Sequence, residues 1–476
     1  MKNRTFIGLT SCFTIVLLMT GSLTGSVFKA ETTTIELKDL LIITPADFEQ
    51  TLQPLVEHKE QFGIETMLVT LETILAHPDT AMGRDDAEKM KYYIKSAIEY
   101  NDISYVLLVG GKQGQRGSWH LPVRYVDMNN GWEPHYVSDL YFADIYDSCG
   151  KFSSWDSDRD GRYGEWIEGE IPDDQDIDLC PDISLGRIPC RNINEVEIMV
   201  NKIIHYETET KNIDRFNTFL NIAGDTYLES LNPLWKGYEG EIFAEYAIEN
   251  MTGFTPTRMY LSEDGFSEPN DVINEFNKGY GFVYFVGHGS PKSWGTHKPN
   301  DHEFIDGLNT KDIKKLSNSE LYSICIVSGC HNCQFDVGLD KLLAGFMEHG
   351  LGFLTEKLIY RYEWIPNGWG WLMTKNPQGG SIVTYGTTAL GHTQEDKTSF
   401  AGGINEFERE LFHQYGTLGT DHAGDVLKQA MNWYLDTYPV DWHATDDTIL
   451  RDTWVDVQVL QSYIMMGDPS LMIGGY

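Results

Sequence analysis

Two apolar runs in this sequence each end on a group that can do chemistry. Gly281-Phe-Val-Tyr-Phe-Val286 leads into Gly287-His288-Gly289-Ser290, and Tyr322-Ser-Ile-Cys-Ile-Val327 leads into Ser328-Gly329-Cys330-His331. Open parallel sheets hold their ligands just beyond the carboxyl ends of the strands, so an imidazole and a thiol stand at matching strand ends. They are 42 residues apart, the length of a single crossover, so the two strands can be neighbours. A thiolate is a nucleophile for acyl transfer, and a histidine beside it lowers its pKa and later protonates the leaving amine. Cys330 is therefore the expected nucleophile and His288 the expected general base and then acid. Gly289 lets a substrate approach the backbone, and the amides of Gly289 and Cys330 are the expected oxyanion donors. His331 is expected to point away from its neighbour Cys330. Cys330, His331 and Cys333 lack the fourth ligand of a zinc site.

A second constellation is Asp156-Ser-Asp158-Arg-Asp160-Gly161-Arg162-Tyr-Gly-Glu165. Carboxylates at the first, third and fifth positions followed by glycine form a calcium-loop pattern, because alternate side chains converge on a hard cation and glycine permits the sharp turn. The expected ligands are Asp156, Asp158, Asp160, the carbonyl of Arg162 and a closing Glu165 or Glu168, since Ile167 holds the place of the usual glutamate. Calcium so bound would be structural.

The elements that must position these groups follow from periodicity. From residue 40 the pattern runs strand (Leu40 to Thr44), helix (Ala46 to Gln61), strand (Ile64 to Thr70), helix (Ala87 to Tyr100), strand (Tyr105 to Gly110), which predicts a parallel sheet covered by helices. Residues 112–182, rich in Trp, Gly, Ser and Asp, break that rhythm as a long excursion. A second alternating block predicts strands at 219–223, 258–261, 281–286, 322–327 and 380–385, and a last amphipathic stretch from Val455 to Met466. The expected organisation is an α/β protein of two abutting subdomains, 31–211 with its excursion and 212–476 carrying His288 and Cys330. Residues 1–30 have the cations, apolar run and small residues of a secretory signal peptide. Its removal leaves no stable membrane span, and the protein is expected to be secreted or at the cell surface.

Composition narrows the partners. The 71 acidic against 36 basic residues, a net charge of −35, exclude the cationic footprint of a nucleic-acid binder. Of the cysteines beyond the signal, Cys149, Cys180 and Cys190 are near enough in sequence for one pair to be bridged, without saying which, if any.

Taken together, Leu40-Leu-Ile-Ile-Thr-Pro-Ala-Asp-Phe48, Tyr105-Val-Leu-Leu-Val-Gly110, Gly186-Arg-Ile-Pro189, His205-Tyr-Glu207, Gly287-His-Gly289, Gly329-Cys-His-Asn332 and Gly467-Asp-Pro-Ser-Leu471 resemble the gingipain-type cysteine peptidases of the caspase-like clan. That resemblance implies a caspase-like sheet, the dyad His288 and Cys330, and Asp182, four residues before Gly186-Arg187, as an acidic orienter of the imidazole. It implies protein or peptide substrates, cleaved after basic residues by an acid in the first specificity pocket, for which Glu195 is the nearest candidate. Against the best-known members, the sequence is expected to lack the large inhibitory propeptide and the immunoglobulin-like and sorting domains. A rival expectation is a catalytically idle, calcium-stabilised surface or carbohydrate-binding protein using Trp119, Trp132, Trp155 and Trp166.

Overall fold

Unbroken apolar runs, rather than alternating ones, make the strands of this chain, as befits a sheet covered on both faces. Leu40-Leu-Ile-Ile-Thr44 and Phe282-Val-Tyr-Phe-Val286 are buried at every position. The computed structural model describes residues 37–476 except 132, 176, 227–236, 302, 351, 353–364, 394–400 and 445.

The main-sheet strands are β1 (Leu40–Thr44), β2 (Thr66–Thr70), β3 (Tyr105–Val109), β4 (Ser184–Ile188), β5 (Thr218–Ala223), β6 (Thr255–Tyr260) and β7 (Phe282–Val286). A small antiparallel sheet follows, of β8 (His288–Gly289), β9 (Ser293–Thr296) and β10 (Ile305–Asn309), and then β11 (Ser323–Ser328), β12 (Ser381–Thr387) and β13 (Tyr463–Met466) complete the main sheet. Its order is β6-β5-β7-β11-β12-β13-β4-β3-β1-β2. Strands β6 to β12 are mutually parallel, as are β13 to β2. The two blocks meet antiparallel at β12 and β13. The carboxyl ends of β5, β7, β11 and β12 therefore share one edge of the sheet with the amino ends of β13 and β4.

That reversal has a local cause. The predicted amphipathic stretch from Val455 to Met466 is in fact a helix, Asp447–Ser462, that hands over to the buried strand Tyr463-Ile-Met-Met466. Two of the sequence motifs form the seam. A Cβ at Gly186 would lie 2.5 Å from the carbonyl oxygen of Gly467, so β4 and the Gly467-Asp-Pro turn can touch only through glycine. Arg187, fully buried beside it, grips Asp139 through Nε and Nη2, both at 2.7 Å. The Gly-Arg pair thus ties the excursion to the sheet.

The excursion has short two-residue strands, and its buried residues join the core of the main sheet. Trp155 and Trp166 are buried there, their indole N–H groups donating to Asp144 and to the carbonyl of Glu170. Cys149, Cys180 and Cys190 are all unbridged.

Candidate active site

Register puts His288 and Cys330 at matching positions beyond two neighbouring strand ends. In the parallel pair β7 and β11, Val286 sits opposite Ser328, and two residues later the chains present His288 and Cys330. The backbone binds across this point, Gly287 N–H donating to the carbonyl of Ser328 at 3.1 Å. Beyond it the two turns interlock. A Cβ at position 289 would lie 2.6 Å from the carbonyl oxygen of Cys330 and 2.0 Å from Asn332 Oδ1, and one at 329 would lie 3.0 Å from the amide nitrogen of Gly289. Glycine is required at both places because one backbone packs on the other. Asn332 fastens the arrangement: its Nδ2 donates to the carbonyls of Ser290 and Ser293, both at 3.1 Å. Asn332 entered the sequence reading only as the end of the Gly329-Cys-His-Asn332 motif, because nothing in its spacing marks this role.

His288 Nε2 lies 2.6 Å from the carbonyl oxygen of Thr226, just past the end of β5. The ring stacks on His297 at 5.6 Å with 21° between planes, and Phe304 stands edge-on to it at 5.1 Å. Beneath this pair is an acid that sequence reasoning missed. Asp225 is completely buried; its Oδ1 accepts from Thr226 N–H at 3.1 Å and its Oδ2 lies 3.7 Å from His297 Nδ1. Glu239, first residue of the helix Glu239–Asn250, is buried near Asp225, and burial, with the neighbouring Asp225 adding to it, pushes the Glu239 pKa up to about 8. The signal available in sequence was Asp225 itself, two residues beyond an apolar strand end, the same position as those of His288 and Cys330.

Electrostatics at the dyad differ from the sequence expectation of a histidine-lowered thiol. Burial pushes the Cys330 thiol up to about 11, against the smaller opposing effect of the Gly391 amide, which donates to Sγ at 3.3 Å. Burial likewise pushes His288 down to about 4, with the Thr226 carbonyl opposing and His297 adding to the effect. At rest both partners are neutral.

Asp182 stands on the same edge of the sheet, ahead of β4, yet it is not brought to His288. Four strand spacings of about 4.8 Å separate β4 from β7, and its Oδ2 accepts instead from the amides of Ile145 and Tyr146, at 2.7 and 2.9 Å. Glu195 is also committed elsewhere, to Lys375, to Trp371 Nε1 and to Arg191 N–H. The carboxylate whose charge bears on Cys330 is Glu133, which accepts from Leu390 N–H at 3.0 Å and lies 3.4 Å from His331 Nε2. His331 itself is buried against Gln334.

Of the expected calcium ligands, Asp156 and Asp158 share a cluster, whose third member is Asp174 and not Asp160 or Glu165. Carboxylate oxygens of Asp156, Asp158 and Asp174 lie within 4.8 Å of one another. Asp160 turns back to accept from Arg162 N–H, and Glu165 pairs with the Arg162 side chain. Asp174 falls outside a twelve-residue loop, which is why the motif did not include it. Burial, with Asp156 and Asp158 adding their charge, pushes its carboxyl up to about 6.

The model of peptidase family C25 matches residues 34–474. The chain belongs to peptidase family C25. Among curated relatives, gingipain R2 of Porphyromonas gingivalis is 24% identical over 297 residues, covering 62% of this chain and 32% of the relative. Lys-gingipain of the same organism is 24% identical over 263 residues, covering 53% of this chain and 14% of the relative. The chain thus spans about a third or less of the length of these relatives. Among solved structures, the Arg specific cysteine proteinase gingipain R superposes with a TM-score of 0.58 at 18% identity, covering 92% of this chain and 78% of the other. The C25 fold is thus the caspase-like α/β sheet that the sequence resemblance implies.

Proposed function

We propose that this C25 protein is a cysteine endopeptidase with Cys330 as nucleophile and His288 as its base and acid. The observation that carries this reading is the matched register of β7 and β11, with Gly289 packed on the Cys330 turn. A carbonyl only accepts, so the bond to Thr226 puts the ring proton on Nε2 and leaves Nδ1 as the base. As Sγ bonds to the scissile carbonyl carbon, its proton passes to Nδ1. The new oxyanion accepts from the amides of Gly289 and Cys330. The imidazolium is steadied by the Thr226 carbonyl and by the nearby Asp225 side chain, both of which favour the protonated ring. Nδ1 then protonates the leaving amine, a thioester remains on Cys330, and a water deprotonated by His288 releases the acid product. Asp182 is a buttress of the excursion in this scheme.

Protein or peptide substrates follow from the reaction, and cleavage after basic residues is supported by the names of the Arg- and Lys-gingipain relatives and by the charge of Glu133 near Cys330. Export rests on residues 1–30, which lie outside the described residues. Among those described, no helix is long and apolar enough to cross a membrane. Asp156, Asp158 and Asp174 would hold a calcium ion that links the loop to the segment at 174. Its fit is partial, because Arg84 already contacts Asp156. The carbohydrate-binding alternative loses two of its four tryptophans, since Trp155 and Trp166 are core residues, while Trp119 is half-buried and lines a surface cleft. Trp132 lies outside the described residues. Cleavage of a peptide library by the purified protein, lost in Cys330→Ala, tests the reading; equal cleavage by that variant would refute it.

A further inference from the structure

A cleft of about 550 Å³ opens beside His288, walled by the small sheet β8 to β10, and Cys330 is not among its described lining residues. Resting on the proposed mechanism, its direction is defined. The imidazole must face the leaving amine to protonate it, so the substrate chain beyond the scissile bond departs over His288 and into this cleft. Phe304, 55% exposed and edge-on to His288, forms an apolar wall at its mouth.

Two cations line the cleft. Lys292 lies in the turn between β8 and β9, and its carbonyl accepts from Thr310 N–H at 2.9 Å, which brings the neighbouring Lys311 alongside. Among the described residues neither lysine makes an ion pair, whereas nearby Lys298 is paired with Asp264 and Lys315 with Asp312. Asp306 also lines the cleft, leaving one net positive charge. In a chain of net charge −35, an unpaired cationic pair beside the reacting bond is a feature that a negatively charged ligand would recognise. We infer that Lys292 and Lys311 form a leaving-side subsite selecting peptides with acidic residues about one to three positions beyond the cleaved bond, a reach set by the rise of an extended chain.

The test uses internally quenched peptides that share one sequence before the scissile bond and carry three Glu, three Gln or three Lys after it. The readout is the ratio of kcat/KM for the Glu peptide over the Lys peptide, which a general loss of activity does not move. Wild type should favour the Glu peptide by roughly two- to tenfold, as expected of exposed charge pairs, and 0.5 M salt, chosen on the order of several times physiological strength, should shrink the preference. Lys292→Glu with Lys311→Glu should invert the ratio, and the milder Lys292→Gln with Lys311→Gln should bring it towards one. A ratio near one in wild type, or one unchanged in both double variants, overturns the inference. A peptidyl-coumarin amide carries no residue beyond its scissile bond. If wild type hydrolyses it but shows no charge preference, this subsite alone fails; if wild type hydrolyses neither substrate class, the proposed function fails with it.

Discussion

His288 Nε2 and the carbonyl oxygen of Thr226 are 2.6 Å apart, and Thr226, the residue that supplies this carbonyl, also donates its N–H to Oδ1 of the buried Asp225. In the proposed mechanism a backbone oxygen sets the tautomer, while Asp225 favours the protonated ring. The division suits a site in which burial keeps the imidazole neutral until the proton arrives from Cys330.

It follows that Asp225→Asn should lower kcat by roughly ten- to a hundredfold with little change in KM, because the charge facing the imidazolium is lost while the Thr226 carbonyl stays. Asp182→Asn should leave kcat within about twofold and cost about 1 kcal/mol of stability, the typical value of a lost capping bond. Steady-state kinetics and urea melts of the two variants check this. A larger kcat effect at Asp182 would restore it as orienter.

Glu408 makes stability depend on pH. It is buried, has no cation paired with it among the described residues, accepts from the hydroxyls of Tyr284 and Tyr463, and burial pushes its pKa up to about 8. The folded state therefore keeps a proton that the unfolded chain has lost above its ordinary carboxyl value. Stability is fully present below that value and declines as pH rises through about 8. Glu408→Gln should gain in Tm relative to wild type between about pH 5 and pH 8; a difference constant with pH would contradict the assignment.

Lys202 is buried and donates to four carbonyls, of Thr374, Asn376, Gly379 and Ser381, at 2.6 to 3.2 Å. Lys202→Met should destabilise by roughly 2–4 kcal/mol in urea titrations, since it strips the donor from several buried acceptors at once. Parental stability would mean that water replaces the amine.

If calcium binds, it does so at Asp156, Asp158 and Asp174. A hundredfold excess over the dissociation constant adds about 2.7 kcal/mol to a state that binds one ion, so Tm should rise with calcium in wild type and in Asp160→Asn, but not in Asp174→Asn. A response in Asp174→Asn equal to that of wild type would place the ion elsewhere or nowhere.

Much of this was legible in the sequence because the strands are continuous apolar runs and the reactive residues follow them directly. The helix Ala46–Gln61 and the strands that lead to His288 and Cys330 come from such local signals. What was not legible is non-local. β13 is four residues long and shows its role only when wedged between β12 and β4. Its insertion turns one half of the sheet against the other, which puts Asp182 on the catalytic edge and still four strands from His288. Asp174 joins Asp156 through a fold of the excursion that no loop pattern contains.

The central claim is that Cys330 forms the covalent bond with substrate. Acid quenching of the protein during turnover of a slowly deacylating peptide ester, followed by peptide mapping in a mass spectrometer, reads that bond directly. The account predicts the acyl group on Cys330 alone, with none trapped in Cys330→Ala and far slower formation in His288→Ala. An acyl group on another residue, or continued hydrolysis by Cys330→Ala, would contradict it.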